Sequence, residues 1–288
     1  MINKITIKNS VKIYNDEYVR KKKKSNEIDK IYEYLLSRNF DYFPEIVKED
    51  DEYIYYKYIN DIEEPSEQKV MDLVVLASLL HNKTTFYREV DIDNYKYIYE
   101  SVSDKIEDTF NYYNTLMDYI ESEVYMSPGD YLIARNISII YSALKYAKEN
   151  IDVWYKMNDN SRRMRVVMNH MNLGLDHYLK EDKPYFISFD RAKIDMPIND
   201  LVLLYKKHYL EIDFNDILKV YLSKYPLTDD EMLLFLVMIS IPEKISNVVS
   251  EYKRVIEIRG IIDYVYKSGD LVAKYGIKKQ TNEGHKLT

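Results

Sequence analysis

A group of polar side chains between positions 170 and 190 has residue types that bear on phosphate chemistry. Asn172 follows His170 by two residues, His177 comes five residues after Asn172, and Ser188 and Asp190 end the next apolar run. Phosphoryl transfer requires a carboxylate that orients the acceptor hydroxyl, hard oxygen ligands for Mg²⁺ and a lysine on the nucleotide phosphates. The spacing fits such a centre, whereas most of the side chains do not.

The side chains at the key positions lack the charge that this chemistry needs. Asn172 stands where the base is expected, and an amide does not accept a proton as a carboxylate does. His177 and Ser188 stand where the metal ligands are expected, and neither an imidazole nor a neutral hydroxyl suits a hard cation. The first glycine of the chain is Gly129, so the N-terminal region has none for a loop that closes over phosphates.

Other chemistries remain open for the same residues. Asp190 lies two residues beyond Ser188 and therefore on the same face of a strand, where it could replace a metal carboxylate. His170, Asp176, His177 and Asp190 could instead form a zinc site, since His and Asp are zinc ligands. A further alternative is an ordinary loop in an unrelated α+β protein, because short degenerate motifs arise by chance.

The composition limits the classes of partner. The chain has 288 residues, a formal net charge of −7 and no cysteine, so disulfides and thiolate metal sites are excluded. The net charge argues against general affinity for nucleic acid. No apolar run is long enough to span a membrane, and no signal-peptide core is recognisable, which predicts a cytoplasmic protein without a membrane partner. The 31 tyrosines are explained by biased codon usage or by a binding surface.

The pattern of apolar residues predicts an α+β protein with two lobes. Residues 1–60 alternate as half-buried strands do, with one helix after Ser25 and an acidic hairpin near position 50. An acidic, proline-bearing stretch at 61–66 is predicted as the hinge. Residues 67–288 are mainly helical, with helix starts at Ser127, Thr228 and near Pro242, and the strand-rich loop region 166–190 interrupts them.

The order of these elements and the phrase "ISFDRAKIDMPINDL" resemble the spore-coat protein S family. That family is similar to the aminoglycoside phosphotransferases and choline kinases, whose usual pattern is H-x-D-x-x-x-x-N followed by I-D-F-D. The resemblance implies a protein-kinase-like fold with a small β-rich N-terminal lobe and a large helical C-terminal lobe. It also implies that Lys21, in "YVRKKKK", contacts nucleotide, and that His170 and Asp200 are structural.

Two functions follow from this resemblance and its departures. The first is a degenerate, pseudokinase-like protein that needs no cofactor and acts by binding a protein or a metabolite. The alternative is an ATP- and Mg²⁺-dependent small-molecule phosphotransferase, of the aminoglycoside, choline or sugar kinase kind, that uses Asp190 and Lys21 in an altered site. By resemblance, the setting is bacterial, and either cytoplasmic or spore-associated.

Overall fold

The N-terminal region is a five-stranded antiparallel sheet. The computed structural model describes residues 5–8, 11–14, 17–23, 28–246 and 250–276. The strands, in the spatial order β1-β2-β3-β5-β4, are β1 (Ile5–Lys8), β2 (Val11–Tyr14), β3 (Tyr18–Lys22), β4 (Ile46–Glu49) and β5 (Tyr53–Lys57). The predicted strands and the acidic hairpin at position 50 are therefore confirmed.

The apolar face of this sheet packs on the first helix. Helix α1 (Ile28–Ser37) buries Ile28, Tyr32 and Leu35, while Ile54 of β5 is buried at 3% exposure. The Tyr32 and Tyr56 rings meet edge to face with their centroids 6.3 Å apart. The helix lies where its apolar periodicity predicts it, and the predicted start at Ser25 falls outside the described residues.

The same compact unit includes the strands and helices around the candidate site. It comprises residues 1–89 and 163–227. Its three-stranded sheet has the order β10-β7-β6, and β8 and β9 form a separate hairpin. The further elements are α2 (Ser66–Thr84), β6 (Phe86–Glu89), β7 (Arg163–Asn169), β8 (Tyr178–Lys180), β9 (Pro184–Phe186), β10 (Lys193–Asp195), α5 (Ile198–His208) and α6 (Phe214–Lys224).

The second compact unit comprises residues 90–162 and 228–288 and is helical in its described part. Its helices are α3 (Ile92–Ser122), α4 (Pro128–Asn158), α7 (Asp229–Ile239) and α8 (Glu251–Tyr275). The predicted capping boxes are confirmed, at Ser127 for α4 and at Thr228 for α7. No described helix is long and apolar enough to cross a membrane.

The predicted helix start near Pro242 is wrong, because α8 begins at Glu251. Two tyrosine hydroxyls of helix α3 bind backbone carbonyls of the segment that precedes α8. The Tyr113 hydroxyl donates to Glu243 O at 2.8 Å, and the Tyr112 hydroxyl donates to Ile245 O at 3.2 Å. The carbonyls are thereby satisfied by long-range side chains. Local sequence does not reveal such partners.

The stretch predicted as the hinge, 61–66, is attached to strand β8 through one lysine. The Lys180 side chain donates to Glu64 Oε1 at 2.6 Å and to Asp72 Oδ2 at 2.7 Å, and its backbone N–H donates to Asp61 at 2.8 Å. Asp72 and Glu64 raise the pKa of Lys180. The lobe boundaries at 60 and 66 stay predictions, since the compact units divide the chain along other lines.

Candidate functional site

The candidate site is built from the loop after β7 and the segment after β9. The loop covers residues 170–177, and the segment covers 187–190. Two hydrogen bonds join them: Ile187 N–H donates to His177 O at 3.0 Å, and His170 Nε2–H donates to Ile187 O at 2.9 Å. The sequence predicted these pieces as one region, and the structure brings them into contact.

Asp200, near the start of α5, fixes the backbone of the loop. Its carboxylate accepts the N–H groups of His170 at 2.8 Å and Met171 at 2.7 Å. It also lies 3.1 Å from Nε2 of His81, whose Nδ1 is 2.6 Å from the Tyr221 hydroxyl. Asp200 and His81 are both 0% exposed. Asp200 therefore binds the backbone of the loop, and its carboxylate is not used to cap its own helix, α5.

His81 was missed by the sequence interpretation. It lies at the end of an apolar stripe on α2, and a histidine there gives no sign of a partner 119 positions away. The one feature of the sequence that points to His81 is a titratable side chain on a face of α2 that is otherwise buried.

Asn172 and His177 lie side by side, as the five-residue spacing requires. The Asn172 amide donates to His177 Nε2 at 2.9 Å, so this nitrogen is unprotonated. His177 Nδ1 lies 3.2 Å from Asp176 Oδ1, although the two atoms are not aligned for a hydrogen bond. Burial lowers the pKa of His177 despite the neighbouring carboxylate, which keeps the ring neutral. Asn172 and His177, the residues predicted as the base and the first metal ligand, are therefore hydrogen-bonded to each other.

Ser188, the second residue predicted at a metal-binding position, has an unusual backbone conformation. Its φ of 69° and ψ of 50° fall in the left-handed region, which Asp and Asn occupy more readily than Ser. The conformation turns the chain so that Phe189 enters the core. The Phe189 ring lies 4.7 Å from His170, 5.9 Å from Tyr32 and 6.2 Å from Phe43, centroid to centroid.

Lys21 and Asp190 meet across 169 positions of sequence. Their ion pair links strand β3 to the segment after β9, and the side chains are 33% and 12% exposed. A small pocket beside the pair is lined by Ile28, Ile54 and Tyr56. The two residues named for the alternative function are therefore adjacent, but the carboxylate that could hold a metal is neutralised by the lysine.

The zinc alternative finds no support in the described part of the chain, where no group of three or more His, Asp or Glu side chains has the geometry of a metal site. Asp176 forms an ion pair with Lys207 at 2.7 Å. The Asp176 and Lys207 side chains are 61% and 41% exposed, so this ion pair lies at the surface of the loop.

Comparison with solved structures identifies the fold. An aminoglycoside phosphotransferase from Alicyclobacillus acidocaldarius subsp. acidocaldarius DSM 446 matches with a TM-score of 0.71 and 9% identity, over 95% of this chain and 91% of that one. The AMP-bound complex of spectinomycin phosphotransferase APH(9)-Ia matches with a TM-score of 0.53 and 12% identity, over 92% of each chain. The chain has the aminoglycoside phosphotransferase fold. At these identities the likeness concerns the fold alone.

The predicted kinase-like architecture is confirmed by these comparisons, and an unrelated α+β fold is excluded. No family model matches the sequence. No curated protein matches it either. The roles assigned to Lys21, Asn172, His177, Ser188 and Asp190 stay predictions.

We expect Asp200→Ala to lower the free energy of unfolding by at least about 3 kcal/mol, because two buried N–H groups lose their acceptor. Urea denaturation measures the change. Asp108→Ala removes an exposed carboxylate paired with Lys244 and serves as the control, with an expected effect of less than about 1 kcal/mol. Equal stability of the two variants would show that Asp200 does not hold the loop.

Burial of His170 makes stability depend on pH. Burial lowers its pKa to about 4, and Asp200 opposes this shift only in part. The unfolded chain therefore takes up a proton near pH 6.5 that the folded chain refuses until about pH 4, so stability falls as the pH drops through this window.

We expect His170→Gln to reduce this acid-side loss by about 1–3 kcal/mol, since the amide does not titrate and still offers an N–H to Ile187 O. Urea denaturation at pH 7.5, 6 and 5 checks the difference between the two proteins. If the free energies of unfolding of the two proteins fell equally with pH, His170 would not be the group that causes the loss of stability.

Proposed function

We propose that this protein is a kinase-like binding protein that does not transfer phosphate. The observation that carries the proposal is the hydrogen bond of 2.9 Å between Asn172 and His177. A phosphotransferase of this fold needs a carboxylate at the first position and an oxygen ligand at the second. Here an amide and a neutral imidazole occupy them and satisfy each other, so neither proton transfer nor Mg²⁺ binding has a group to perform it.

The surroundings of this pair support the same conclusion. Ser188 offers no charge to a metal, and the chain has no glycine before Gly129 for a loop that closes over phosphates. Loss of one essential group from such a unit typically lowers the rate by several orders of magnitude. The combined losses favour a protein that acts by binding another protein or a metabolite.

A phosphotransferase with an altered site is the second candidate. It is favoured by one observation, the contact of Lys21 with Asp190, which leaves a carboxylate and an ammonium group where phosphates and metal would approach. Such an enzyme would convert ATP to ADP in the presence of an aminoglycoside, choline or sugar acceptor. It would lose that activity in Asp190→Asn, whereas the binding protein has no such activity to lose.

The finer family assignment is also part of the proposal. The phrase "ISFDRAKIDMPINDL" supports kinship with the spore-coat protein S family and hence a bacterial cell, with the protein in the cytoplasm or on the spore.

We expect no binding of Mg²⁺-ATP in the micromolar range. Titration calorimetry with MgATP, and with ATP in excess EDTA, measures it directly. A dissociation constant near 1 μM, about −8 kcal/mol, would overturn the proposal.

We expect the triple variant Asn172→Asp, His177→Asn, Ser188→Asp to fold and to gain Mg²⁺ affinity, because it restores two hard oxygen ligands, at positions 177 and 188. Aspartate also suits the left-handed backbone at position 188. The matched control carries Ser188→Asn instead, which keeps the backbone preference and the size but lacks the charge, and it should bind Mg²⁺ more weakly. A folded triple variant with parental Mg²⁺ affinity would mean that these positions do not form a decayed metal site.

A further inference from the structure

The second face of the five-stranded sheet has a composition unlike the rest of the molecule. Strand side chains alternate between faces, so the residues between those that pack on α1 point outward. We call them the outer face. Its members with described side chains are Lys12, Tyr14, Tyr18, Arg20, Lys22, Lys48, Tyr53, Tyr55 and Lys57, and the register places Ile5 and Ile7 of β1 on the same face.

The described side chains of the outer face are those of cations and tyrosines. They are four tyrosines, four lysines and one arginine, with no carboxylate among them, in a chain whose net charge is −7. Among the described residues, no carboxylate lies within ion-pair distance of these five cations, and all five are exposed. Asp50, in the β4–β5 turn, accepts the backbone N–H groups of Glu52 and Tyr53, and it also accepts the hydroxyl of Tyr55 at 2.9 Å, so one carboxylate adjoins this end of the face.

Rings and charges alternate across the strands. Arg20 pairs with Tyr55 and Lys22 with Tyr53 in the sheet register. The Arg20 guanidinium carbon lies 4.3 Å from the centroid of the Tyr53 ring and 5.1 Å from that of Tyr14. The Tyr14 and Tyr18 rings stack with an interplanar angle of 3°. Flat groups are therefore held in fixed orientations between flexible lysines.

We propose that the outer face binds single-stranded nucleic acid. Lysines between aromatic rings supply partners for phosphates, and ring or guanidinium planes supply platforms on which bases stack. An acidic peptide or an anionic bilayer would use the lysines equally well but would leave the planes of Tyr18 and Arg20 without a role. The net charge predicts weak affinity for nucleic acid in general, whereas this surface is locally cationic: it has five cations, and Asp50 is the one carboxylate that an outer-face side chain is seen to bind among the described residues.

This site is independent of the proposed function. Lys21 and Asp190 belong to the opposite face of the sheet, and Lys21 alternates with Arg20 and Lys22. An experiment that overturns the proposed function therefore does not bear on the outer face. Substitutions on the outer face, in turn, do not alter the Asn172–His177 pair.

Fluorescence anisotropy with labelled oligouridylate and oligothymidylate of about 15 nucleotides tests the inference. We expect micromolar affinity at low salt, with a slope of log K against log [salt] of about −3, since each phosphate contact on a single strand contributes about −0.7. The full chain serves as the sample. Poly-glutamate and vesicles with anionic lipid are the competing probes.

The change of Lys12, Lys22, Lys48 and Lys57 to Gln should weaken oligonucleotide binding by more than tenfold and flatten the salt slope. The same change at the exposed Lys96, Lys145, Lys148 and Lys253 of the helical unit is the matched control, which should have little effect. Arg20→Lys keeps the positive charge and removes the planar guanidinium group. It should therefore weaken oligonucleotide binding about tenfold and leave the slope of log K against log [salt] unchanged.

Three outcomes would overturn the inference. They are no binding of either oligonucleotide at low salt, equal loss in the two four-lysine variants, or tighter binding of poly-glutamate or vesicles than of the oligonucleotides. The third outcome would assign the face to a different class of partner. Circular dichroism of each variant confirms folding, which these exposed substitutions should leave intact.

Discussion

The candidate site depends on one buried carboxylate. Asp200 accepts the backbone N–H groups of His170 and Met171 and lies against His81, so the start of the loop is fixed by a helix that begins at Ile198. Side chains of the loop make further contacts, from His170 to Ile187 and from Asn172 to His177. Asn172 and His177 thus keep the spacing of the predicted site although neither residue suits the predicted chemistry. In this fold, the geometry of the site and its reactivity are separable properties.

The fold was largely predictable because its signals are local or periodic. Alternation predicted the five strands, and the caps at Ser127 and Thr228 predicted the starts of α4 and α7. The error at Pro242 has the opposite cause, since Tyr112 and Tyr113 bind the carbonyls of that segment from a distant helix. Backbone groups satisfied by remote side chains leave no trace in a local pattern.

The site was predictable in position but not in contacts. The spacing from Asn172 to His177 and the phrase around Ser188 indicated which residues converge, and the proximity of Lys21 to Asp190 fits the same alignment. The contact of His81 with Asp200 and the left-handed backbone of Ser188 were not predictable from the sequence. Each depends on tertiary packing between segments far apart in sequence, where residue type alone does not choose among many partners.

The attachment of α1 to the site rests on an aromatic ring. Phe189 is fully buried and joins Tyr32 of α1 to His170 of the loop, whereas Lys21 turns to Asp190 and not to a carboxylate on α1. Apolar contacts are insensitive to ionic strength but weaken as the temperature falls. The attachment of this helix to the site is consequently far less sensitive to salt than an ion pair in the same place would be.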